Sequence, residues 1–318
     1  MTNFQDRLFH MDGVPVGSPN ILEMTPGNTF FLDPANGDDD NLGNSPNAAF
    51  KTMEVAYAAL TDNNNDVLYL IGDASGLSLT EQLVWAKSYT HLIGLCAPTA
   101  ISKRARIFMT STVVSTPMIQ ITGSGCIFKD LLIFHGIANA AALVAIEVTG
   151  GRNYFQNVHF AGIGNTTQDA AGACSLKLNG AEENTFVHCQ IGLDTVARGA
   201  NSSEILVDGS SSRNVFEDCM IYAYISAGGH SLVKLVDNAA IDRFLLFKDC
   251  LFLSESENNG TAMDSALNVP ANMVTSYIAL HKCAGVGITA WEANSRGKTY
   301  ASMVAPAASA GGGLATNI

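Results

Sequence analysis

Long apolar runs are missing from this 318-residue chain: nothing approaches the roughly 18 consecutive apolar residues of a membrane-spanning helix, so no helical span is expected. The opening residues, MTNFQDRLFHMDG, also lack the basic-then-apolar layout of a secretory signal peptide. A membrane is therefore not an expected partner. Basic residues are scarce: 17 Lys and Arg face 29 Asp and Glu, a formal charge of −12, and only SKRAR at 102–106 gathers positive charge. That balance repels a phosphate backbone and argues against nucleic acid. Cysteine occurs in odd number, seven, without CxxC or Cys/His ligand spacing. Neither a disulfide framework nor a zinc site is expected, and the thiols read as reduced packing residues, with no cofactor and no metal implied.

What the chain has is apolar material: 47% hydrophobic against 14% charged residues, enough for a sizeable core in one large domain or two ordinary ones. It also repeats. RNVFEDCMIYA at 213–223 returns in variant form, and aligning the variants sets Phe128, Phe155, Phe186, Phe216, Phe247 and then Leu280 in one slot, at steps of 27, 31, 30, 31 and 33 residues. Three positions on lie Leu131, Val158, Cys189, Cys219, Cys250 and Cys283; two further lie Ile133, Phe160, Ile191, Ile221 and Phe252. A second block precedes each of these, with Ile121, Val148, Leu178, Val207, Val236 and Val269 as its anchors in QITG, EVTG, KLNG, LVDG, LVDN and NVPA.

Each repeat holds short strands of period two between Gly, Asn, Asp and Ser turns, and none holds a helix long enough for a solenoid of helix pairs. About 30 residues per unit then read as one coil of a parallel β-helix. Equivalent slots stack at about 4.8 Å, the spacing of neighbouring strands. Phe, Cys/Val and Ile ladders are expected to fill the inside.

Between two inward residues of each repeat lies one slot occupied by Asp130, Asn157, His188, Asp218, Asp249 and Lys282. A corner with left-handed backbone favours Asn, Asp and His, so this slot is expected to be structural. Stacked Asp218 and Asp249 would also match the spacing of a retaining glycosidase pair, but the coil rise alone produces that separation wherever two acids share a slot.

Upstream, FFLDPANGDDDNLGNSPNAAFKTMEVAYAAL at 30–60 departs from the repeat. Ser45 and Pro46 read as a helix start, and Phe50, Met53, Tyr57 and Leu60 as one helical face that would cover the open end of the coil. The segment resembles the entry sequence of right-handed parallel β-helix proteins of the pectate-lyase-like superfamily, which commonly reads VDP..GSD.N.G.SP..PFKTI..A. The matching residues are Asp33, Pro34, Gly37, Asp38, Asn41, Gly43, Ser45, Pro46, Phe50, Lys51 and Thr52. The resemblance implies an all-β fold: a single-stranded right-handed parallel β-helix solenoid over 28–293, capped by 30–60, with an N-terminal arm at 1–27 and a C-terminal tail at 294–318.

That superfamily includes polysaccharide lyases and hydrolases, carbohydrate-binding proteins, and tailspikes and related virion proteins of bacteriophages. Its lyases want calcium-binding acids facing an Arg or Lys base, and its hydrolases want NxD, DD, GHG and RxK on successive coils. Here GGHS at 228–231 has no neighbouring DD, and no RxK falls in the coils, so the chain is expected not to be an enzyme. The run Asp38–Asp40 suits either a calcium loop or a solvated turn. In the arm, Phe4, Leu8, Phe9, Met11, Val14 and Val16 show no sustained period, so they are expected to gain order only on a partner surface. By resemblance, the leading expectation is a bacteriophage virion protein: a homotrimeric capsid decoration protein on the capsid surface, bound through that arm to the major capsid protein and assembled in the host cytoplasm. A tail spike recognising host-surface carbohydrate is the alternative, and a polysaccharide lyase or hydrolase the third reading.

Overall fold

Each turn of the chain contributes one strand to each of three parallel sheets, and every strand hydrogen-bonds to its equivalent one coil away. The computed structural model describes residues 27–109, 114–199, 201–227, 229–256, 263–271, 273, 276–292 and 299–302, and the backbone of 10–11 and 14–15. Among the described residues, sheet I has 10 strands, running from Thr29–Leu32 to Thr299–Ala301. Sheet II has 8, from Leu77–Leu79 to Ala284–Val286, and sheet III has 8, from Leu83–Trp85 to Ile288–Glu292. The molecule is an all-β parallel β-helix with very little helix, as the repeat implied.

The repeat anchors are in register. Phe128, Phe155, Phe186, Phe216, Phe247 and Leu280 pair successively along sheet I. The five Phe rings lie inside with centroids 5.1, 4.6, 4.4 and 4.8 Å apart and planes within 15° of parallel. Strand spacing imposes that separation, and apolar burial of each ring stabilises it by about 1.5–3 kcal/mol. Trp85 meets Phe128 edge-on at one end of the stack, and Trp291 meets Phe252 edge-on at the other end of the core.

Cys189, Cys219, Cys250 and Cys283 form a second ladder, all free and buried. Each Sγ lies 3.4–3.5 Å from a carbonyl oxygen one coil away, on Phe155, Phe186, Phe216 and Phe247 respectively. Burial pushes the Cys219 thiol up, and contact with Cys250 together with burial does the same for Cys283.

The corner slot has the backbone expected of it. Asp130, Asn157, His188, Asp218, Asp249 and Lys282 all have φ between 51° and 55°, the left-handed region, where one residue redirects the chain from sheet I to sheet II. Its neighbour one turn earlier holds a ladder not foreseen from the sequence. Asn153, Asn184 and Asn214 are buried at the entry to sheet I. The Oδ1 atoms of Asn184 and Asn214 accept the backbone N–H of Asn153 and Asn184, and the Nδ2 groups of all three donate to the carbonyls of Gly123, Gly150 and Ala181. The ladder satisfies backbone groups that the turn leaves without sheet partners.

Two sequence expectations need correction. Val207 pairs with Leu235, not Val236; Leu235 points inward and Val236 is 46% exposed, so the alignment slipped by one residue where LVD recurs. The cap also differs: Pro46–Ala48 is a short 3-10 turn, Phe50 bridges to Leu32 in extended conformation, and the α-helix spans only Met53–Ala59. Asp39 explains the late start, because its carboxylate accepts the backbone N–H of Lys51 and Thr52 and the Thr52 hydroxyl. The helix still covers the end of the core with buried Met53 and Ala56.

The Cys ladder leads to a stability prediction. Cys219→Ala should be mild, whereas Cys219→Leu should destabilise by about 1–3 kcal/mol, because the slot has fixed neighbours one strand spacing above and below. Urea denaturation of both variants checks this; equal midpoints would show that the slot tolerates bulk.

Candidate functional site

Alternation within sheet III separates a dry inside from a polar outside. Ile119 and Ile121, Ile146 and Val148, Leu176 and Leu178, and Ile205 and Val207 are buried inward. The residues between them, Gln120, Glu147, Lys177 and Leu206, therefore face outward in register, followed by Lys234 and Asn268. Asn179 and Asp208 form a second outward pair beside this row.

These side chains bond across coils. Lys177 Nζ lies 3.1 Å from Glu147 Oε1 and 3.9 Å from Asp208 Oδ2. Asn179 Nδ2 donates to Glu147 Oε1 at 3.0 Å, and Gln120 Nε2 to Glu147 Oε2 at 3.3 Å. Lys234 Nζ donates to Asn201 Oδ1 at 2.8 Å. The row thus presents ammonium and amide groups at strand spacing around a largely covered Glu147 carboxylate, with Asp208 beside them and Val84 and Val236 as exposed apolar neighbours.

Beside this face, where sheet II turns into sheet III, lies a sealed polar network. Glu204 and Arg198 are fully buried and paired, Nε to Oε1 at 3.1 Å. Ser175 Oγ donates to Glu204 Oε2 at 2.5 Å, and His230 Nε2 lies 3.5 Å from Oε1. Arg198 also donates to the carbonyls of Val196 and Gly162. Burial opposes ionisation of Glu204, but the Arg198 charge and the His230 and Ser175 contacts outweigh it and hold its pKa below the usual carboxylate value. Behind it, His230 Nδ1 meets Ser202 Oγ, which donates to Asp169. These groups fasten the backbone of 162–169 and the bulged end of the strand Gln190–Arg198 to the coil.

A further segment, 96–103, crosses the outside of sheet II. Lys103, 1% exposed, donates to Ala100 O and Gln190 Oε1. Ser102 N–H faces His159 Nδ1 at 3.4 Å, while His159 Nε2 lies 3.0 Å from both Gly192 O and the Tyr222 hydroxyl. Burial lowers Lys103 to about 8 and His159 to about 4.

The residues singled out from the sequence lie elsewhere. The Phe and Cys ladders are core. Asp218 and Asp249 stay at the exposed corner, where Asp218 Oδ2 lies 3.4 Å from His188 Nε2. His230 of GGHS is buried against Glu204 rather than facing solvent. Met11 and Val14 belong to a two-residue antiparallel pair, His10–Met11 with Val14–Pro15, while Phe4, Leu8, Phe9 and Val16 lie outside the described residues. Among the described residues no group of three or more His, Cys, Asp or Glu is placed to hold a metal ion. The sheet III row was missed, although QITG, EVTG, KLNG and LVDG begin with its residues, Gln120, Glu147, Lys177 and Leu206.

No protein-family model matches the chain, and no curated protein matches it in sequence. Solved structures do share its coil. Pectate lyase Pel9A matches with a TM-score of 0.57 at 14% identity, over 83% of this chain and 64% of that one. Rhamnogalacturonan lyase matches at 0.57 and 14%, over 81% and 68%. Pectin methylesterase PemA from Erwinia chrysanthemi matches at 0.50 and 14%, over 86% and 87%. At this identity the likeness shows the fold; the chain spans 64% of the length of the pectate lyase.

These neighbours overturn the expectation that the chain is not an enzyme. That expectation rested on two missing motif sets, but the same coil carries two lyases and an esterase, enzymes of different chemistry. Missing motifs argue against particular arrangements and not against catalysis on this fold.

Burial holds His91, His135 and His159 each at about 4, below the ordinary 6.5. The unfolded chain therefore takes up protons first as pH falls. Stability should be fully present above about pH 6.5 and decline toward pH 4, by about 1.4 kcal/mol per pH unit for each histidine. Urea denaturation at a series of pH values measures the slope, and His135→Gln should make it shallower by about one histidine's share. An unchanged slope would remove His135 from the acid response.

Proposed function

We propose that the protein binds an extended polysaccharide along the outer face of sheet III. The observation that carries this reading is the row Gln120, Glu147, Lys177, Asn179 and Asp208, hydrogen-bonding groups on four successive coils held at strand spacing by a rigid core. A polymer lying along the coil axis would meet polar groups on successive coils, with hydroxyls donating to Asp208 and accepting from Lys177, Asn179 and Gln120. The neighbouring structures, a pectate lyase, a rhamnogalacturonan lyase and a pectin methylesterase, support a polysaccharide ligand for this fold. A virion role remains compatible in one form: a receptor-binding spike for host-surface carbohydrate would use the same face. The neighbours lend no support to a capsid decoration role, and the arm on which that role depended falls largely outside the described residues.

A panel of soluble polysaccharides tested by calorimetry examines the proposal. Lys177→Met combined with Asn179→Ala should weaken binding about tenfold through lost charge-assisted and neutral hydrogen bonds. Asp218→Asn with Asp249→Asn, at the remote corner, should leave it unchanged. Identical affinities for wild type and the Lys177/Asn179 variant would move the ligand off this face. New reducing or unsaturated ends in the same mixtures report cleavage.

A further inference from the structure

The row on sheet III also carries information about the charge of its ligand. We infer that the bound polymer is an uncharged polysaccharide and not a polyuronate such as pectate; this rests on the reading of that face as a polysaccharide site.

Four charged side chains lie in the row and the pair beside it, Glu147 and Asp208 against Lys177 and Lys234, so the row itself has a formal charge of zero, and exposed Asp264 on the next strand of sheet III adds a negative charge. Both ammonium groups already have oxygen partners. Lys177 is engaged by both carboxylates, at 3.1 and 3.9 Å, and Lys234 donates to Asn201. Arg198, beside this face, is fully buried on Glu204 and two carbonyls, while Arg152 and Arg213, past the end of sheet III, are paired with Glu183 and with Glu182 and Glu183. Each of these three guanidiniums already has its carboxylate partner, so none of them is free for the bidentate clamp that carboxylate recognition favours.

A polyuronate brings one carboxylate per sugar. Laid along a row whose groups repeat at about 4.8 Å, it would set those carboxylates against Glu147 and Asp208 while competing with them for Lys177. The formal charge of −12 adds long-range repulsion of any polyanion. An uncharged sugar meets no such opposition. Its hydroxyls both donate and accept, so they match the alternation of carboxylates with amides and ammonium. Its apolar C–H faces can rest on the exposed Val84 and Val236.

The test measures wild-type affinity for uncharged galactan, xylan, mannan and glucan, and for pectate, at about 20 mM and about 300 mM salt. At least one uncharged polymer should bind with little salt dependence, and pectate at least about tenfold more weakly at low salt. Glu147→Gln with Asp208→Asn frees Lys177 and should shift the ratio of pectate to uncharged affinity about tenfold toward pectate. Pectate binding as tightly as any uncharged polymer, with affinity that falls as salt rises, overturns the inference and leaves the polysaccharide reading standing. Binding of none of the five removes that reading and the inference with it.

Discussion

The structure depends on one constraint: each strand hydrogen-bonds to its equivalent one coil away, so each inward side chain has its own counterpart directly above and below. Position along the axis is fixed by the backbone, and a side chain can only choose what to be. Repeating the same residue is the simplest way to be compatible with a neighbour at strand spacing. Five stacked Phe rings, four stacked Cys and three stacked Asn each solve that problem with different chemistry: ring faces, thiols directed at carbonyls, and amides that bond both to the next amide and to the turn. Polar residues are tolerated in the interior because a carboxamide ladder satisfies itself and the backbone around it.

This constraint also decides what could be read from the sequence. Inward slots recur because their neighbours recur, so the Phe and Cys ladders and the left-handed corner were visible as aligned letters. The Asn ladder obeys the same rule, but its slot holds Cys126 one coil before Asn153 and Leu245 one coil after Asn214, so a three-coil run was lost among apolar residues. Val236 was mistaken for Leu235 because two adjacent apolar residues fit the anchor and only hydrogen-bond register separates them. The cap obeyed no repeat at all. Asp39, twelve residues before Lys51, sets the helix start through contacts that local helix signals do not contain.

Outward residues escape the constraint. Gln120, Glu147, Lys177, Leu206 and Lys234 occupy one aligned column yet hold four residue types in five positions, because water or a ligand, rather than an identical coil, is their common neighbour. Periodicity locates such a column but cannot say which members act together. The distances do: Lys177 couples three coils by meeting Glu147 before it and Asp208 after it. Function on this fold is therefore written where the repeat is weakest, and motif sets drawn from one chemistry say little about another arrangement on the same face.

The three corners of the coil are unequal, and that inequality explains the buried charges. From Asp130 onward the chain needs only two residues from sheet I to sheet II, such as Asp130 and Leu131, with one in the left-handed conformation. From sheet II to sheet III it runs from Ala161 to Cys174, or from the strand Gln190–Arg198, bulged between Leu193 and Ala197, to Ser203. Such excursions carry carbonyls and N–H groups with no strand to bond to, and packing them against the coil would leave those groups buried and unsatisfied. Arg198 answers two of the carbonyls, on Val196 and Gly162, and Asp169 answers the Gly199 N–H. A buried guanidinium in turn requires an anion, which Glu204 supplies from the adjacent strand of sheet III. The buried ion pair is thus a consequence of placing long excursions at this corner, and it fixes the border of the face that carries Glu147, Lys177 and Asp208.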